Sequence, residues 1–178
     1  SKRGEEGMPL NAANPRPNNI YGQIIRWDEG GDATAGTFAW DIYALCGNPI
    51  AHPEGVNRGT PNITADNTFN SPDGLGFDRA GRLWILTDGK YSNKGDYAGQ
   101  GNNQMLVGDP ISGEIRRFMV GPKSCELTGI TFTPDYKTMF VNVQHPGEEG
   151  DSHFPNNSPR PRSSVLMITR EDGGVIGA

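Results

Sequence analysis

Cysteine is scarce in this chain of 178 residues: there are two, Cys46 and Cys125, and neither stands in a CxxC pair. A structural zinc site built on thiolates is therefore not expected. Spacing alone leaves open whether the two form a disulfide or stay as buried thiols. Long apolar runs are missing too, none approaching the roughly 18 residues that suggest a membrane span, and the start shows no secretory signal pattern. Positive charge is in short supply. Lys and Arg number 16 against 21 Asp and Glu, a formal charge of −5, so the chain lacks the clustered cations that hold nucleic acid phosphates. There is no GxSxG, no P-loop and no HExxH.

What the chain has in quantity is glycine, 25 residues, and proline, 14. Short segments punctuated by these two residues predict an all-β, antiparallel fold with few helices. Gly74-Leu75-Gly76-Phe77 aligns with Gly129-Ile130-Thr131-Phe132, 55 residues further on. Arg82-Leu83-Trp84-Ile85 then falls against Thr138-Met139-Phe140-Val141. Each copy reads as strand, polar turn, strand. Each hairpin is followed by another: Gln104–Val107 with Gly113–Phe118, then Ser164–Ile168 with Gly173–Ile176, joined by GDPISG and TREDGG turns.

A unit of four antiparallel strands recurring every 40 to 60 residues or so is the pattern of a β-propeller blade. The expected blades span 73–120 and 126–178, and 20–45 supplies only the outer hairpin of another, so about two and a half blades are present. Residues 1–19, polar and rich in Pro and Asn, read as a loop that cannot supply a core. A closed propeller needs typically four to eight blades, and the chain therefore reads as the C-terminal piece of a longer protein.

In such a fold the innermost strand of each blade begins on one rim of the central channel. Asp73 lies at that point in one blade and Glu126, in Cys125-Glu126-Leu127-Thr128, at the comparable point in the next; Asp88 and His145 close the second strands on the same rim. Convergent carboxylates repel unless a cation neutralises them, and oxygen-rich sites suit Ca²⁺ or another hard metal. Asp73 also fits a Pro-Asp-Gly turn, where Asp serves conformation alone, whereas Glu126 has no turn role. His145 fits either a ligand or general acid, or a hydrogen-bonded rim residue. Glu148, Glu149 and Asp151 read as a solvated cluster, and the stretch from His153 through NNSPRPRSS as loop.

Several stretches together resemble the PhoX-type alkaline phosphatase family: NPRPNNIYGQIIRW, NSPDGLGFDRAGRLWILTDG, and GNNQMLVGDP with the CELTG and QHPG elements that follow. The match runs over nearly all of residues 14 to 178. The resemblance implies a periplasmic or secreted enzyme that hydrolyses phosphate monoesters on a β-propeller with Ca²⁺ and Fe³⁺ ions. It also implies that Asp73 of SPDG and Glu126 of CELTG are metal ligands; His145 is a catalytic candidate from its strand-end position alone. The family's bridging cysteine and its Arg-Pro-Glu element do not occur here, so the chain alone is expected to be inactive. A calcium-dependent lactonase has similar PDGL and G-R-L-W strand pairs but gives no reason for QHPG. A non-catalytic binding propeller would show rim aromatics in place of carboxylates. Open blade faces predict self-association.

Overall fold

The computed structural model describes residues 10–157 and 159–178. Its nine strands are β1 Gln23–Glu29, β2 Phe38–Leu45, β3 Pro72–Phe77, β4 Leu83–Thr87, β5 Gln104–Gly108, β6 Ile115–Val120, β7 Glu126–Phe132, β8 Thr138–Gln144 and β9 Ser164–Thr169. They form three sheets, β1-β2, β3-β4-β5-β6 and β7-β8-β9. Every pairing is antiparallel. Two short 3-10 turns, Val56–Arg58 and Gly95–Tyr97, are the helical elements among the described residues. No described helix is long and apolar enough to cross a membrane.

Strand β4 shows why the sheets stack. Alternation along a strand sends successive side chains to opposite faces, and LWILT is buried at all five positions. Leu83 and Ile85 enter one core with Tyr21, Ile24, Tyr43, Phe69 and Leu106. Trp84 and Leu86 enter a second with Met105, Leu127, Met139, Val141 and Val143. The middle sheet is thus covered on both faces by its neighbours, as a blade is in a propeller. Close approach of β3 to β7 depends on Gly76, where an added Cβ would stand 2.9 Å from Ile130 Cγ2.

Asp78, in the β3–β4 turn, is buried and collects the backbone N–H groups of Ala80 and Arg82, the Arg82 guanidinium at 2.7 Å and the Trp84 indole N–H at 3.0 Å. Burial alone would raise its pKa. The four donors outweigh that and hold the carboxyl below the ordinary range.

The structure departs from the sequence reading in two places. Gly173–Ile176 is irregular, running into a turn at Ile176, and not the fourth strand of the last sheet. Gly173 and Gly177 adopt positive φ, 67° and 77°, which breaks an extended run. Ile176 instead plugs the second core and its N–H donates to Tyr136 O at 2.9 Å. Of the expected loop 1–19, residues 1–9 lie outside the described residues, and 10–19 is not simply solvated. Asn14, Arg16 and Asn19 are buried. Arg16 donates to Asn19 Oδ1, Val56 O, Gly22 O and Cys46 O, which satisfies a guanidinium whose pKa burial lowers. The middle and last sheets pack face to face through Trp84, buried in the second core, with Phe132 packed against that core; the exposed large aromatics among the described residues are Trp27, Phe38, Trp40, Phe77 and Phe118.

Candidate metal site

The leading ends of β3 and β7 are built alike. Ser71 and Ser124 both adopt left-handed φ, 53° and 50°, and each stands two residues before an acid, Asp73 and Glu126. Both strands also slip register just beyond, between Pro72 and Leu75 and between Thr128 and Thr131. Such bulges re-aim side chains at rims. In the ladder, however, Pro72 faces Thr87 while Leu127 faces Val143. Counted by rungs, Glu126 therefore stands opposite the level of Ser71, two residues above Asp73, on the same alternation. The two acids share a local device and not a rung.

Glu126 is the buried member of the group and Asp73 is exposed. Across the β7–β8 pair, Gln144 Nε2 donates to Glu126 Oε2 at 2.9 Å. His145 Nε2 lies 3.5 Å from the same oxygen, and His145 Nδ1 lies 3.6 Å from Glu148 Oε2. Burial raises the Glu126 pKa first, and the charges of Asp88 and then Asp73 raise it further, opposed by His145. So the structure brings Asp73, Asp88, Glu126 and His145 into one electrostatic neighbourhood. It also draws in Glu148, which the sequence reading left among solvated residues.

The QHPG segment backs this rim. His145 sits at φ 38°, with its N–H donating to Ser163 Oγ at 3.0 Å. Gly147 N and Glu148 N donate to Lys123 O and Ser124 O, so the loop is tied to the residues leading into Glu126. Among the described residues no three His, Cys, Asp or Glu side chains are close enough together to hold a metal ion by themselves. The donors present are carboxylate oxygens, which suit Ca²⁺. Neither cysteine joins them: both are free and buried, and burial pushes the Cys125 thiol up to about 12, so it stays protonated.

Sequence reasoning missed a layer of buried amides beneath the acids. Asn70 accepts from Lys90 N and donates to Lys90 O and Gln100 Oε1. Asn103 links Thr87, Gly89 and Cys125. Asn beside Ser or beside a second Asn reads as turn chemistry in a sequence, and only the folded chain shows these side chains turned inward. Gly89 is confined here, since an added Cβ would stand 2.1 Å from Asn70 Oδ1.

Stacked antiparallel sheets covered on both faces, with acids gathered at one end, define a propeller-like all-β protein. Comparison with known proteins narrows the class. The family described as alkaline phosphatase PhoX matches residues 1–147, and the chain belongs to that family. A solved structure, Pseudomonas fluorescens PhoX in complex with vanadate, a transition state analogue, is 62% identical with a TM-score of 0.95. The match covers 99% of this chain and 31% of that one, so the present chain spans about a third of its solved relative. A search of curated proteins finds no match.

Proposed function

We propose that this chain forms part of the catalytic rim of a metal-dependent phosphate monoesterase, with Asp73 and Glu126 as metal ligands. The observation that carries the reading is the gathering of Asp73 and Asp88 about Glu126, whose pKa is raised first by burial and then by the negative field of those two acids, against an opposing contribution from His145. A bound Ca²⁺ would compensate that field. Its chemistry there is to neutralise charge on the non-bridging phosphate oxygens and so favour in-line displacement. Family membership and the vanadate complex of the relative support phosphoryl transfer as the reaction class.

The chain's own residues divide the work. Glu126 presents one oxygen to Gln144, and that bond fixes its carboxylate plane. Asp73, exposed to solvent, would turn toward the same cation. His145, 3.5 Å from Glu126 and 3.6 Å from Glu148, would carry the proton to the leaving group. Neither cysteine would serve as an Fe³⁺ ligand, because both thiols are buried and burial keeps them protonated. By the family resemblance the enzyme works in the periplasm or outside the cell.

The test uses the full-length polypeptide carrying this segment. Glu126→Gln and Asp73→Asn should each lower kcat/KM on an aryl phosphate by about a hundredfold or more, the scale of losing an electrostatic contact to the transferring group. They should also reduce bound calcium measured by elemental analysis. Wild-type turnover and metal content in both variants would refute the assignment. The isolated chain, lacking the remaining ligands, should show no turnover above the Glu126→Gln background.

A further inference from the structure

Two side chains that the internal repeat makes equivalent to a covered pair stand open to water. Leu75 and Phe77 of β3 align with Ile130 and Phe132 of β7. Ile130 and Phe132 pack against the second core, and Ile130 meets β3 at Gly76, where an added Cβ would stand 2.9 Å from its Cγ2. Leu75 and Phe77, by contrast, are 50% and 65% exposed. The innermost strand of the last sheet is covered by the innermost strand of the middle one, and no described strand does the same for β3.

The first sheet is short by the same measure. The middle sheet runs β3-β4-β5-β6, whereas β1-β2 is a pair. Ile24 of β1 and Tyr43 of β2 enter the core shared with the middle sheet, much as Met105 of β5 enters the core shared with the last and Met119 of β6 packs against it. The pair thus holds the place of an outer hairpin. Among the described residues β1 forms a ladder with β2 alone, so its other edge has no strand beside it. Next to β1 lies a trough of about 250 Å³ whose walls include Ile25 and Trp27 of β1 and Leu75 and Phe77 of β3. Proteins ordinarily cover an open strand edge and an apolar trough, and a two-stranded hairpin is marginal without further strands.

We infer that the trough is the seat of an inner β-hairpin supplied by the remainder of a longer polypeptide. Its second strand pairs antiparallel with β1, as β4 pairs with β5, and its first strand lies over Leu75, as β3 lies over Ile130. The geometry sets two demands on that hairpin. Opposite Leu75 it carries glycine or a very small residue, because the equivalent contact leaves no room for a Cβ. Toward Phe77 and Trp27 it presents apolar side chains at alternate positions, as a strand facing an apolar wall must. Chain for this purpose exists: the solved relative matches 99% of the present chain with only 31% of its own. A second copy meets the first demand poorly, since a two-fold contact on this trough sets Leu75 and Phe77 against themselves.

The test uses the full-length polypeptide carrying this segment. Hydroxyl-radical footprinting of the wild type, read by mass spectrometry, compares native and unfolded protein. Phe77 should be modified severalfold more slowly in the native state, as should Trp84, which is fully buried here, and the protection should survive dilution. A Leu75→Cys variant carrying a benzophenone maleimide should crosslink within one molecule to a segment outside these 178 residues. That segment and β1 should both exchange their amides slowly, as paired strands do.

Modification of native Phe77 at close to its unfolded rate would overturn the inference. Protection lost on dilution, with adducts joining two molecules, would give the trough to a second copy instead. A crosslink to a segment whose amides exchange freely would reject a strand as the occupant. If Leu75→Cys does not fold, footprinting and amide exchange of the wild type make the decision, because an open trough leaves Phe77 reactive and β1 protected along one edge only.

Discussion

At the scale of single residues, acids of this chain fall into two physical kinds. Asp78 is surrounded by donors that lower its pKa, whereas Glu126 is surrounded by burial and like charge that raise it. The first is the sign of a structural carboxylate, satisfied within the chain; the second is that of a group wanting a partner. Asp78→Asn should destabilise the protein by about 2 to 4 kcal/mol, because it removes a buried ion pair and weakens the bond to Trp84. The linkage has a definite sign. A folded pKa below the unfolded value gives stability that is present above the unfolded value, near pH 4, and is lost as pH falls through the folded one. Denaturant midpoints measured from pH 7 down to pH 2 should therefore fall less steeply in Asp78→Asn than in wild type. Parallel slopes for the two proteins would show that Asp78 does not carry the acid sensitivity.

At the scale of elements, the contact between β3 and β7 turns on Gly76. An added methyl group would press on Ile130 Cγ2, a branch next to the backbone that cannot swing aside. Gly76→Ala should cost about 1 to 3 kcal/mol as an overpacked contact. Ile130→Ala, by opening the space, should recover part of that cost. In a double-mutant cycle by chemical denaturation the coupling should reach about 1 kcal/mol, and additivity within about 0.5 kcal/mol would place the cost elsewhere. The glycines of this strand also show how far a sequence can be read. Repeat spacing disclosed the hairpins and the rim, because periodic apolar residues are forced by burial. It could not disclose that Gly76 is small for the sake of a neighbouring sheet. Nor could it disclose that the last hairpin yields its fourth strand so that Ile176 can fill a core. Asp73, Glu126, Asp88 and His145 were legible as a group because the ends of strands in successive repeats arrive on one rim, although Asp73 and Glu126 sit two residues apart in level. Asn70 and Asn103 were not, for their value lies in bonds across 14 to 30 residues of chain that no local pattern records.

At the scale of the molecule, the stack of sheets ends in two apolar faces. On the first, Trp27 and Trp40 are cross-strand partners, and Trp27 meets Phe38 at a ring distance of 6.5 Å; Trp27 is 61% and Phe38 58% exposed. On the last, Val165 and Met167 are 66% and 68% exposed on one face of β9, with Met167 paired to Phe140. Contiguous apolar area of some hundreds of Å² is a surface that soluble proteins ordinarily cover. At about 25 cal/mol for each Å², covering roughly 400 Å² would contribute about 10 kcal/mol, comparable with the whole stability of a domain. The isolated chain should therefore self-associate, most simply as a two-fold dimer in which one face meets its own copy and is buried twice. The aromatic face is the stronger candidate, because paired Trp residues bring large area at small entropic cost. Sedimentation velocity at tens of micromolar, a concentration range chosen near common interface affinities, should give a species heavier than the 19.2 kDa chain. Trp27→Ser with Trp40→Ser should return it toward the monomer, and Val165→Lys with Met167→Lys should do so less. A well-folded wild-type monomer under those conditions would mean that the exposed faces are tolerated in water, and the argument from apolar area would fail for this chain.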